Sequence, residues 1–159
     1  MPLRDIKSGK TLHSVIEEVT SSDYRWIRKS KEFKFDWELE KENEVYKIYL
    51  VDKDENILGL MSMIDYPEEY RIHLNLIEVG ASNRVKSKSV ENIAGCLIAF
   101  ACQVAFDRDY FGFVSLQPKT KLIDLYQEKY GFRQYGRLLA VEQASSKALI
   151  DKYLNDEEE

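Results

Sequence analysis

Residues 89–106, SVENIAGCLIAFACQVAF, constrain the fold of this chain more than any other stretch. From Ile93 to Ala105 the positions are apolar almost all the way round a helix, with small residues (Ala94, Gly95, Ala99, Ala101, Ala105) set between large ones. A helix without a polar face has to be buried, and its small residues let a sheet or a ligand come close. A polar, basic loop at residues 83–92 precedes it, and before that an apolar strand ends at Val79. The first turn of a helix has unpaired N–H groups and a positive dipole end. Strand, loop and helix start therefore read together as an anion site, and predict a phosphate-bearing ligand there.

The chain has 159 residues, of which 44% are hydrophobic, enough for one domain burying about two thirds of its unfolded surface. Residues 1–154 are read as that single domain and residues 155–159, NDEEE, as a solvated, disordered acidic tail. The net charge of -5 and pI near 5.2 argue against a general nucleic-acid surface. No apolar run has the length of a membrane span, and MPLRDIKSGK lacks the core of a signal peptide, so a cytoplasmic protein is expected. Cys96 and Cys102 lie on one helix and turn away from each other; burial as small apolar residues is the reading. His13 and His73 are too scattered for a metal site.

In chain order, residues 11–21 place Leu12, Val15, Ile16 and Val19 on one helical face, predicting a short amphipathic helix capped by Thr11. A second helix is expected over residues 22–32, with Ser22 or Asp23 as cap and Trp26 and Ile27 as anchors. FKFDWEL, residues 33–39, alternates large and polar residues like a strand with one buried face. Aromatics interleaved with Arg25, Arg28, Lys29, Lys31 and Lys34 also suit a base-stacking groove, but the strand reading is preferred and nucleic acid is not the expected partner. Strands at residues 45–51, 57–64 and 71–79 follow with short connections, as in an antiparallel meander. The central helix then crosses over to a strand at residues 111–116, which implies a parallel pair. A helix at residues 120–129, with Leu122, Leu125 and Tyr126 inward and Gly131 as its stop, leads to a last strand or hairpin at 132–143 and a closing helix, SSKALIDKYL.

This order of elements, together with Glu78-Val79, NIAGCLIAFAC, GFVSL and KTKLIDLYQEKYGF, resembles the GNAT superfamily of acyl-CoA N-acyltransferases, short bacterial members in particular, over about residues 33–143. The resemblance implies an α/β (α+β) fold: a mixed, mostly antiparallel sheet with helices on both faces. It implies acetyl-CoA or another acyl-CoA as co-substrate. The family signature Q/R-x-x-G-x-G/A, whose amides hold the CoA pyrophosphate, is degraded here. Setting Ala94 at its final small residue puts Ser89 and Asn92 at the Gln/Arg and Gly positions. Asn92 tolerates positive φ better than most residues, and Arg84, Lys86 and Lys88 offer compensating charge. By position, Ile93, Gly95, Lys119 and Tyr126 join the expected CoA contacts, and the backbone of Val79, Gly80 and Ala81 is expected to supply the donor for the thioester oxygen.

For the general base the sequence offers Glu78. It shares strand parity with Ile72, Leu74 and Leu76, so an apolar face would raise its pKa into the useful range; His73, on the other face, is the alternative. Tyr126 takes the place of the family tyrosine that protonates the leaving thiolate. One extra residue before Gly131-Phe132 turns it by about 100° relative to the usual spacing, and Tyr130 is the stand-in. The implied activity is transfer of an acyl group to a primary amine, on a small molecule or a protein. A GNAT-fold binding module without catalysis and an enzyme acetylating aminoacyl-tRNA are the other classes, and pairing through the last strand's edge suggests a homodimer.

Overall fold

A helix with no polar face needs partners on every side, and α2 (Ile93–Asp107) has them. The computed structural model describes residues 2–51, 53–83 and 90–155. Before α2 come β1 (Pro2–Asp5), β2 (Thr11–Glu18), α1 (Ser21–Lys29), a turn of 3₁₀ helix (Trp37–Glu40), β3 (Glu44–Leu50), β4 (Lys53–Tyr66), β5 (Arg71–Val79) and β6 (Val90–Glu91). After it come β7 (Val114–Leu116), α3 (Ile123–Tyr130), β8 (Arg133–Tyr135), β9 (Leu138–Val141) and α4 (Gln143–Tyr153). The strands lie in the order β6-β1-β2-β3-β4-β5-β7-β9-β8. Only β5 and β7 are parallel; every other pair is antiparallel. The expected mixed, mostly antiparallel sheet is present.

α2 packs against β4 and β5 on one side and α4 on the other, and Cys96, Leu97, Ala99, Ala101, Cys102 and Ala105 have no exposed surface. Cys96 and Cys102 are both free thiols, each pushed by burial up to about 12. The close approach needs a small residue on the sheet as well as on the helix: a Cβ at Gly59 of β4 would lie 2.8 Å from Ile93 Cγ2. Truncating Leu97 to alanine in this core would cost about 2–5 kcal/mol. A smaller core occupies the opposite face, where Ile27 of α1, Phe33 and Trp37 cover Val45, Ile57 and Leu60. Helices therefore do cover both faces.

Several local expectations are corrected. Residues 11–18 are strand β2, with Leu12, Ser14 and Ile16 directed inward at period two; one serine among the buried positions disguises the alternation as a helical stripe. Residues 33–39 form no strand. Phe33 and Trp37 are buried, Phe35 and Leu39 are exposed, and the chain closes into the 3₁₀ turn at Trp37. α1 is capped by Thr20, one residue before its start, in a capping box with Asp23, and of its two anchors Ile27 is buried while Trp26 is exposed. In α3, Leu125 is exposed and Tyr130 takes the core position. β1 went unrecognised in the sequence, and the strand expected over 111–116 begins only at Val114, after a turn in which Phe111 has positive φ. The acidic tail beyond Asn155 lies outside the described residues.

Candidate functional site

The site is made by a pair of strands that stop pairing. β5 and β7 are in register at Ile72 with Val114, His73 with Ser115 and Leu74 with Leu116, and no further. After Leu116 the chain passes through Gln117 and Pro118, and a proline has no N–H with which to extend a ladder. β5 runs on to Val79 and loses regularity at the same level. Leu74 pairs with Met63 and Leu76 with Ser62, which leaves Asn75 as the extra residue of a β-bulge. Among the described residues, Asn75, Leu76 and Ile77 of β5 have no ladder partner on the β7 side, so backbone groups there are available to a ligand lying along the strand. The gap is a cleft of about 270 Å³ lined by Asn75, Leu76, Ile77, Lys119, Leu122, Tyr126 and Phe35, among others.

Tyr126 is brought into this cleft. The extra residue in the helix does not carry it away, because α3 starts after a 3₁₀ turn and its ring is set against Phe132 and Tyr130, with centroids 5.6 and 6.0 Å apart. Burial raises its pKa, so it is a protonated hydroxyl at neutral pH, and that hydroxyl makes no hydrogen bond among the described residues. Lys119 lies on the same wall, its Nζ 5.7 Å from the centre of the Phe35 ring. Tyr130 is elsewhere, buried against Tyr153 with its pKa also raised by burial.

A second, smaller cavity of about 90 Å³ opens at the start of α2, and it gathers Val79, Asn92, Ile93, Ala94 and Gly95. Asn92 takes φ +77 as helix cap and gives no side-chain cap. The first intrahelical bond runs from Cys96 N–H to the Asn92 carbonyl at 2.9 Å. The amides of Ile93, Ala94 and Gly95 thus point out of the helix without a partner among the described residues, which is the physical basis of an anion site. Gly95 has a packing reason to be glycine as well: a Cβ there would come within 2.4 Å of the Tyr153 ring. Lys129, Tyr130, Tyr153 and Asn83 also line this cavity. None of these was singled out for it from sequence; Lys129 was the legible one, a cation just before the helix stop. Asn83 Oδ1 accepts from Val90 N–H at 2.9 Å and so holds together the two ends of the basic loop. Arg84, Lys86, Lys88 and Ser89 lie outside the described residues.

Glu78 sits elsewhere than its parity suggested. The bulge reverses the faces of β5, so that Ile72 and Leu74 belong to the α2 core while Leu76 packs with the α1 side. Glu78 is buried on that second side. Its carboxylate accepts N–H from Lys34 at 2.6 Å, Phe35 at 3.3 Å and Trp37 Nε1 at 2.8 Å. Three donors, in place of the expected apolar surround, meet the carboxylate and tie residues 34–37 to the sheet. The amides of Gly80 and Ala81 are also engaged, with the carbonyls of Leu58 at 2.8 Å and Glu32 at 2.9 Å. His73 is bonded to Ser115 Oγ at 2.9 Å, and Arg71 donates to the same oxygen at 2.8 Å. Burial, and then the Arg71 charge, lower its pKa, so it bridges β5 and β7 as a neutral ring.

The basic aromatic stretch is divided by the fold. Phe33 and Trp37 belong to the core, and Arg28 is paired with Glu38 at 2.6 Å. Trp26 and Phe35 alone of its large aromatics are exposed. Among the described residues no cluster of His, Cys, Asp and Glu could hold a metal ion, and no helix is long and apolar enough to cross a membrane.

No family model matches the sequence, and no curated protein is similar to it. Solved structures are similar in shape. Spermidine/spermine N-acetyltransferase SpeG from Vibrio cholerae superposes with a TM-score of 0.60 at 17% identity, over 92% of this chain and 98% of that one. AtaTR bound with AcCoA gives 0.59 at 12%, over 87% and 98%. An acetyltransferase of the GNAT family from Listeria monocytogenes gives 0.56 at 14%, over 89% and 99%. The fold is that of the GNAT acetyltransferases. The bulged strand, the splayed parallel pair and the open helix start are therefore features of a GNAT fold in this chain, whatever the distance in sequence.

Proposed function

We propose that the chain is an N-acyltransferase that binds acetyl-CoA along the open edge of β5 and transfers the acetyl group directly to a primary amine. The observation that carries this reading is the nearness of two features: the amides of Ile93, Ala94 and Gly95, without a partner among the described residues, and the edge of β5 at residues 75–77, past the end of the β7 ladder. A pyrophosphate suits the first and an extended arm containing amides suits the second. Val79 lies between them, lining the cavity at the helix start. Arg84, Lys86 and Lys88 supply further charge to the phosphates, and Lys119 contacts the arm from the opposite wall. AcCoA is the ligand named for AtaTR.

In this reading the amine nitrogen, having lost a proton to solvent, attacks the thioester carbon while the backbone edge at the bulge donates to the carbonyl oxygen. This places the oxyanion donor at residues 75–77, because the Gly80 and Ala81 amides are engaged elsewhere. As the C–S bond breaks, Tyr126 gives its hydroxyl proton to the departing sulfur, the attacking nitrogen releases its extra proton to water, and water returns one to the tyrosine. Glu78 braces the wall of the site through residues 34–37 in this account. A module that binds acyl-CoA without turnover is the second reading, favoured by the full occupation of the Glu78 carboxylate. Release of free CoA thiol from acetyl-CoA, followed with a panel of primary amines, decides between them: amine-dependent release supports transfer, and binding of acetyl-CoA with no release supports the module.

A further inference from the structure

Resting on the acyltransferase reading, the structure also assigns a docking point for the acceptor. We propose that Glu40 and Asn75 together receive a protonated amine, making the acceptor a cationic primary amine whose ammonium group is held at the bulge. Asn75 is the residue that the bulge pushes out of both cores; it is exposed and lines the cleft. Its Nδ2 donates to Glu40 Oε1 at 2.8 Å. Asn43 Nδ2 donates to the same oxygen at 3.2 Å and is itself fixed by the fully buried Ser62 at 3.1 Å. The Glu40 carboxylate is therefore held by two neutral amides.

Among the described residues, two acceptors of this pair, Asn75 Oδ1 and Glu40 Oε2, have no donor, and no cation lies within ion-pair distance of Glu40. Its neighbour shows the contrast: Glu38 is neutralised by Arg28 at 2.6 Å and Lys41 at 2.7 Å. A fixed, un-neutralised carboxylate beside a cleft is stabilised by a ligand bearing positive charge, and two adjacent acceptors suit an ammonium with three N–H donors. Backbone of the same bulge borders the proposed thioester position, so a diamine with one ammonium held by Glu40 and Asn75 brings its other amine, once deprotonated, to the carbon it would attack.

The test is calorimetric titration of the CoA-saturated protein with 1,4-diaminobutane, alongside steady-state transfer from acetyl-CoA to the same diamine. Glu40→Gln keeps an oxygen for Asn75 and Asn43 while removing the charge; it and Asn75→Ala are expected to weaken diamine binding roughly tenfold or more, and Glu40→Gln to raise KM by a similar factor with kcat little changed. Glu38→Gln serves as control and should stay within about twofold of wild type, as should acetyl-CoA binding by Glu40→Gln, and the thermal midpoints report that all three variants are folded. Diamine binding indifferent to Glu40→Gln and Asn75→Ala, or no saturable diamine binding to a protein that does bind acetyl-CoA, overturns this inference alone. A wild-type protein that binds no acetyl-CoA overturns the acyltransferase reading and this inference with it.

Discussion

Leu74 and Leu76, two residues apart on one strand, face opposite sides of the sheet: Leu74 is in the α2 core and Leu76 packs with Ile27, Phe33 and Trp37. Regular strand alternation would put them together. The bulge at Asn75 separates them, and it both opens the cleft and sends Glu78 to the α1 side, where its carboxylate meets Trp37.

Glu78 follows as a stability prediction. Replacing it with alanine leaves the buried Trp37 Nε1–H and two backbone N–H groups without their acceptor, at a cost of about 2–4 kcal/mol. Urea denaturation of Glu78→Ala should show this loss. A variant as stable as wild type but without transfer activity would instead mark Glu78 as the base.

Gly95 makes the α2–α4 contact. A Cβ at this position would meet three atoms of the Tyr153 ring at 2.4 to 2.7 Å, and Tyr153 is a buried ring, 2% exposed. Gly95→Ala should destabilise the protein by about 1–3 kcal/mol, read as a lowered thermal midpoint.

The chain was legible where periodicity and small-residue spacing agree. α2, the β3–β4–β5 meander, the hairpin of β8 and β9, and the Gly131 stop could all be read from residue order. β2 could not, because buried Ser14 breaks its apolar alternation, and the 33–39 segment could not, because its buried aromatics are held by a carboxylate 41 residues away in sequence, as Trp37 is by Glu78. The site was half legible: Asn92 with positive φ and the small residues after it follow from the helix start. The bulge left only a faint mark, the adjacent apolar pair Leu76 and Ile77, and the Glu40–Asn75 contact spans 35 residues with no local signal at all.

Asp23 gives a pH dependence. Burial alone would raise its pKa, but the Lys47 ammonium at 2.8 Å and the Thr20 N–H and hydroxyl outweigh this and hold it below its ordinary 3.8. A carboxyl whose pKa is lower folded than unfolded contributes stability above its unfolded value, and loses it as pH falls through the folded one. The stability gap between wild type and Asp23→Asn should be full at pH 6, begin to shrink as the pH nears 3.8 and vanish below the folded pKa. Chemical denaturation across pH 2–6 checks it, and a gap constant down to pH 2 would refute the assignment.

Tyr126 should act on turnover and not on binding. Tyr126→Phe removes the proton donor while keeping the ring that packs on Phe132 and Tyr130. A fall in kcat of roughly 10²-fold or more is expected, with acetyl-CoA affinity within about twofold. Because burial raises its pKa, no loss of activity through tyrosine ionisation should occur between pH 7 and 9.

If the start of α2 and the open edge of β5 form an acyl-CoA site, isothermal calorimetry with acetyl-CoA will read it as binding. The informative variant is Ala94→Asp: an acidic residue in the first turn favours the helix but puts a negative charge where the pyrophosphate would lie. Micromolar-range binding by wild type, weakened roughly tenfold or more by Ala94→Asp, is the predicted result. No binding by the folded wild type, or an affinity that Ala94→Asp leaves unchanged, would contradict it.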